Sequence, residues 1–80
     1  MYRVYLADDN DLFRDSLIKT IQWDRIGCKL VGSARDGNTA GREIMELLPD
    51  IVLMDIRMPG MSGLEIAALL RSEGFDGRVI

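Results

Sequence analysis

Four apolar residues in a row, Ile51-Val52-Leu53-Met54, run from just after Pro49-Asp50 to Asp55. A strand with one face in water alternates apolar and polar residues. An unbroken run of this length is typical of a parallel strand covered on both faces. Parallel strands are joined by crossovers, usually helical, and the flanking sequence supplies them. Residues 3–7 (Arg-Val-Tyr-Leu-Ala) read as a first buried strand ending in Asp8-Asp9-Asn10-Asp11. A helix is expected from about residue 12 to 22. Phe13, Leu17 and Ile21 recur there every four residues with Ile18 beside them, and Asn10 or Asp11 can cap the first turn. Gly27 breaks the chain. Residues 29–34 read as a second strand, less apolar and suited to a sheet edge. Asp36-Gly37-Asn38 is turn chemistry. A second helix is expected over about 39–48, with Ala40, Ile44, Leu47 and Leu48 on one face and Pro49 as its stop. After the apolar run, residues 56–63 form a loop rich in Gly and Pro. A third helix spans about 64–72, and residues 78–80 begin a fourth strand.

The order β-α-β-α-β-α-β implies an α/β fold, an open parallel sheet with helices packed on it. Right-handed crossovers restrict its layout. Eighty residues suit one small domain. With 48% apolar and 29% charged residues the chain is globular. The net charge of −3 and the scattered basic residues offer no nucleic-acid face. Cys28 is the sole cysteine, so no intrachain disulfide can form; it reads as a small, half-buried apolar residue in a reducing compartment. The chain has no histidine, which excludes a Ser-His-Asp triad and any histidine-ligated zinc site within it. No apolar run reaches the ~18 residues of a membrane span. Met-Tyr-Arg-Val lacks the apolar core of a signal peptide. A cytoplasmic location without membrane attachment is expected.

The acids are placed more tellingly than they are numbered. Asp8 and Asp9 directly follow the first strand, and Asp55 directly follows the third. Ligands of open parallel sheets sit outside the carboxyl ends of the strands. If strand 1 lies between strands 2 and 3, the three acids meet in one crevice. Three carboxylates there repel unless one is protonated or a cation binds. An all-oxygen set without histidine or cysteine suits a hard cation, magnesium or calcium. A backbone carbonyl from the following loop, at Arg57, can add a ligand. A carboxylate beside such a cation can attack phosphorus and form an acyl phosphate. The plainer alternative is that Asp8 or Asp9 merely caps the next helix.

The segment Asp50-Ile51-Val52-Leu53-Met54-Asp55-Ile56-Arg57-Met58-Pro59-Gly60-Met61-Ser62-Gly63-Leu64-Glu65 closely resembles the third-strand motif of receiver domains from two-component response regulators. Leu6-Ala7-Asp8-Asp9-Asn10 resembles their acidic pair, and Ala34-Arg35-Asp36-Gly37 the turn before their second helix. The resemblance covers residues 2–80. It implies a flavodoxin-like, three-layer open sheet of order 2-1-3-4 and a single domain over residues 1–80. It implies that Asp55 accepts a phosphoryl group from a sensor histidine kinase. Mg2+ would be held by Asp9 directly, by Asp8 mainly through water, and by Asp55 and the Arg57 backbone carbonyl. Pro59 and Gly63 would shape the loop. It implies a signalling module rather than an enzyme. Aspartyl phosphatases carry a second acid two residues past the nucleophile, where this chain has Arg57. Trp23-Asp24-Arg25-Ile26-Gly27 also resembles receivers joined to AraC-type output domains, so contact with DNA and control of transcription would run through an output domain outside these residues.

The family carries two further site residues, a Ser or Thr ending the fourth strand and a Lys ending the fifth. The 80 residues end at Ile80, before either. The chain is thus expected to be the N-terminal portion of a receiver domain, without the last part of the five-fold (βα) unit. By itself it is expected to be phosphorylated weakly or not at all. An unpaired apolar edge at strand 3 or the start of strand 4 would favour homo-oligomers. The rival function is a phosphorylation-incompetent, receiver-like piece that only self-associates or binds metal.

Overall fold

The unbroken apolar run becomes an interior strand with neighbours on both sides. In the computed structural model, which describes residues 1–80, the elements follow in the order β1 (Tyr2–Ala7), α1 (Asp11–Thr20), a 3-10 helix (Trp23–Ile26), β2 (Cys28–Ala34), α2 (Gly37–Leu47), β3 (Ile51–Met54), α3 (Gly63–Ser72) and β4 (Arg78–Val79). The strands form one parallel sheet of order β2-β1-β3-β4. This is the flavodoxin-like order the sequence predicts, with the less apolar β2 at an edge.

Strand alternation sends Tyr5, Ala7 and Val52 to one face and Val4 and Leu6 to the other. The first face meets Ala40 and Ile44 of α2 and Ile66 and Leu70 of α3. With Ala34, Met58 and Phe75 these make one cluster of ten buried residues. Tyr5 is fully buried, but its hydroxyl donates a 2.7 Å hydrogen bond to Glu43 Oε1. That bond satisfies the one polar atom the ring carries inward. Burial, then the hydrogen bond to Glu43, pushes the phenol well above its ordinary pKa. On the second face, Phe13 and Leu17 of α1 lie over Leu6 and Leu53 around a hollow of about 210 Å³.

Two helices depart from their expected course. The apolar period of α1 runs through Ile21, but the helix ends at Thr20 and Ile21 is extended. The chain tightens instead into the 3-10 helix, closed by Gly27. The Trp23 ring N–H donates to the Ile18 carbonyl at 3.4 Å and ties that turn back to α1. None of the residues of α1 is fully buried, and Phe13 is half-exposed. The apolar spacing puts Leu48 on the buried face of α2. It lies just beyond the helix in the left-handed region (φ 49°) and is exposed. A residue before proline is disfavoured in the helical region, so Leu48 leaves the helix and turns its side chain outward.

Candidate functional site

Asp8 leaves the end of β1 and Asp55 the end of β3, and the last rung of that pairing is Ala7 with Met54. The Asp55 N–H donates to the Ala7 carbonyl at 2.9 Å and the Asp8 N–H to the Ala34 carbonyl at 3.1 Å. These bonds fix both backbones at the carboxyl end of the sheet. One carboxylate oxygen from each of Asp8, Asp9 and Asp55 lies within 4.8 Å of the others. Asp8 and Asp55 are half-buried and Asp9 is exposed.

Two unit charges at such a separation repel by about 1 kcal/mol in water and by roughly 3–4 kcal/mol at the effective dielectric of a protein surface. No basic side chain of this chain relieves that repulsion directly, since both of its ion pairs go to Asp11. Arg14 donates to Asp11 Oδ1 at 2.7 Å and to the Asp8 backbone carbonyl at 2.8 Å. The Asp11 carboxyl is held below its ordinary pKa chiefly by the Arg14 hydrogen bond. The donor set around the three acids, all carboxylate oxygen, therefore fits a hard divalent cation.

Capping does not account for the acid pair. The N-cap of α1 is Asn10, whose side chain accepts the Phe13 N–H at 3.0 Å. Asp8 supports that turn by accepting the Asn10 N–H at 2.9 Å, and Asp9 is not the cap. Asp36 caps α2 through the Thr39 N–H. That backbone bond, with the Thr39 hydroxyl, holds Asp36 below its ordinary pKa.

The loop after Asp55 is pinned at several points. The Arg57 N–H faces Asp55 Oδ1 at 3.3 Å, while the Arg57 side chain is exposed. Met58 is buried in the main cluster. The Gly63 N–H donates to the Ile56 carbonyl at 2.9 Å. A Cβ on Gly63 would run into the Asp55 carbonyl oxygen, so glycine is needed there by close approach. Ser62 and Glu65 form a reciprocal capping box at the start of α3, both bonds at 3.2 Å.

Asp8, Asp9 and Asp55, predicted from the sequence to meet, do so. Pro59 and Gly63 lie where the loop bends back to α3. Two further supports hold the loop. The capping box was visible as Ser62-x-x-Glu65. The Pro59 carbonyl also accepts the Gly37 N–H at 3.0 Å, a contact between the loop and the distant start of α2 with no local signal.

A profile of the response regulator receiver domain matches residues 4–80. The transcriptional regulatory protein YesN of Bacillus subtilis is 41% identical over 66 residues, which are 82% of this chain and 18% of that protein. The signal receiver domain of the response regulator NarL from Mycobacterium tuberculosis, a solved structure, is 40% identical. It superposes with a TM-score of 0.87 and covers 98% of this chain and 62% of its own. A two-component transcriptional regulator AraC from Clostridium phytofermentans superposes with a TM-score of 0.84 at 32% identity, covering 99% of this chain and 64% of its own. The chain thus spans a minor part of the curated relatives' length: 18% of YesN and 36% of full-length NarL.

Proposed function

This chain belongs to the response regulator receiver domain family of two-component signalling, and on that premise we propose that Asp55 is its phosphoryl acceptor. The observation that carries the proposal is the convergence of the Asp8, Asp9 and Asp55 carboxylates within 4.8 Å. Asp8, Asp9, Asp55 and the Arg57 backbone carbonyl would hold Mg2+. When bound, the ion supplies positive charge that offsets repulsion between an anionic nucleophile and an anionic phosphoryl donor. A carboxylate oxygen of Asp55 attacks the phosphorus of a phosphohistidine on a sensor kinase. The P–N bond breaks as the P–O bond forms, and the leaving imidazole takes a proton from solvent. The Arg57 N–H orients the Asp55 carboxylate, and the half-buried setting of Asp55 limits its rotation.

The relatives are transcriptional regulatory proteins, which supports a role upstream of a DNA-binding output domain in a longer protein. Residues 1–80 would be receiver throughout. No helix is long and apolar enough to cross a membrane, and a cytoplasmic setting accompanies the proposal. Self-association would use the outer edge of β4, which pairs on its inner side with β3. Sedimentation of a well-folded monomer at high concentration would remove that part.

The direct experiment is Mg2+-dependent labelling by acetyl phosphate, compared between the chain and Asp55→Asn. At most weak labelling is expected in the parent and none in the variant, and equal labelling of both removes Asp55 from its role. Mg2+ binding with no labelling of either would favour a metal-binding module instead.

A further inference from the structure

We infer that Gly37 is a positioning residue for the acidic site: only a residue without a Cβ lets the loop after Asp55 lie against the start of α2. The inference rests on the metal-site reading above and adds a residue to it. Gly37 is buried and is the first residue of α2, directly after the Asp36 cap. Its backbone is not in the left-handed region, unlike that of Gly27, Gly60 and Gly74. Its conformation is therefore open to any residue, and a first helical turn does not favour glycine. The Asp36 cap works whatever follows it. What excludes a side chain is space. A Cβ there would collide with the Met61 carbonyl oxygen and lie 2.8 and 2.9 Å from the Met61 C and N atoms, all of them main chain. A rotamer change cannot relieve such a clash. Gly41, one turn along the same helix, has nothing within 4 Å of its own hypothetical Cβ.

The consequence reaches the acids through the loop. The Gly37 N–H holds the Pro59 carbonyl, and the Asn38 side chain packs on Gly60. Met58 is buried and Met61 packs against the core, so the loop cannot lift away freely. Displacing the Met61 main chain therefore pushes along the backbone in both directions. Toward Arg57 it moves the carbonyl assigned to the cation. Toward Gly63 it disturbs the segment that packs on the Asp55 carbonyl.

The experiment compares Gly37→Ala with Gly41→Ala by Mg2+ calorimetry and by backbone amide chemical shifts of residues 55–63. Gly37→Ala is expected to bind Mg2+ at least tenfold more weakly and to shift the amides from Asp55 to Gly63. Gly41→Ala is expected to stay within twofold of the parent, with those amides unmoved. Parent-like Mg2+ affinity in Gly37→Ala overturns the inference, even if the loop amides shift. If the parent and Asp9→Asn both fail to bind Mg2+, the metal reading fails. The amides then decide for Gly37: shifts that include Asp55 and Arg57 support it, and shifts confined to other residues overturn it. If Gly37→Ala does not fold, Asn38→Ala replaces it, since Asn38 is exposed and touches the loop from the same helix start. That variant is expected to shift residues 59–62 and weaken Mg2+ severalfold, or to shift Asp55 and Arg57 where no Mg2+ binds. The absence of that effect overturns the inference.

Discussion

On one face of the sheet, Tyr5, Ala7 and Val52 meet inward residues of α2 and α3, in a cluster of ten buried residues. On the other, Val4 and Leu6 are buried, yet α1 above them buries no residue of its own, and Leu53 stays half-exposed. The difference does not lie in the sheet, which offers apolar side chains to both sides. It lies in how many helices share the work. A stripe such as that on α1 is fully enclosed only when a second element packs beside it. On the α2 and α3 face each helix shields the flank of the other. Within residues 1–80 the buried packing is thus concentrated on one face, while the acids stand at the rim of both.

Removing a large side chain from the packed face should have the largest effect. Ile44→Ala or Ile66→Ala is expected to destabilise by about 3 kcal/mol, read as a fall in the urea midpoint. Next comes Tyr5→Phe, which deletes the Glu43 hydrogen bond and leaves the ring in place. A loss of about 1 kcal/mol is expected. Phe13→Ala, on the thin face, should fall below about 1 kcal/mol, because the ring is already half in water. A loss of 2 kcal/mol or more would erase the contrast between the faces. Gly41→Ala should stabilise slightly, by about 0.5–1 kcal/mol, since the site is open and helical.

Acid titration probes the first turns of the two helices. Asp36 on the packed side and Asp11 on the thin side both have depressed pKa values when folded. Each therefore contributes stability above the unfolded carboxylate value, about 3.9, and loses it as pH falls through the lower folded value. Asp36→Asn keeps an acceptor for the Thr39 N–H and should flatten the acid limb of the unfolding curve. An unchanged limb would assign it to other carboxylates.

Much of the fold was legible in the sequence because the deciding interactions are local or repeated. Ile51–Met54 has the bounds expected of it, since four apolar residues between Pro49-Asp50 and Asp55 leave little choice. The meeting of Asp8, Asp9 and Asp55 followed from strand ends in a parallel sheet. The early end of α1 was not legible, because the apolar spacing runs through Ile21 while the Trp23 turn draws the chain back onto Ile18. Nor was the crowding at Gly37. Asp36-Gly37-Asn38 reads locally as a turn, and the atoms that forbid a side chain belong to Met61, in a loop that follows a different strand.

Asn10 has a consequence of its own. Had an aspartate capped α1, the helix start would have shared its charge with the neighbouring acids, and any titration or loading there would have pulled on the cap. A neutral amide holds the Phe13 N–H equally well at every pH. That one cap bond is thereby insulated from the electrical state of the crevice. The link that remains is the Asp8 carboxylate, which accepts the Asn10 N–H at 2.9 Å and so joins the crevice to the helix start.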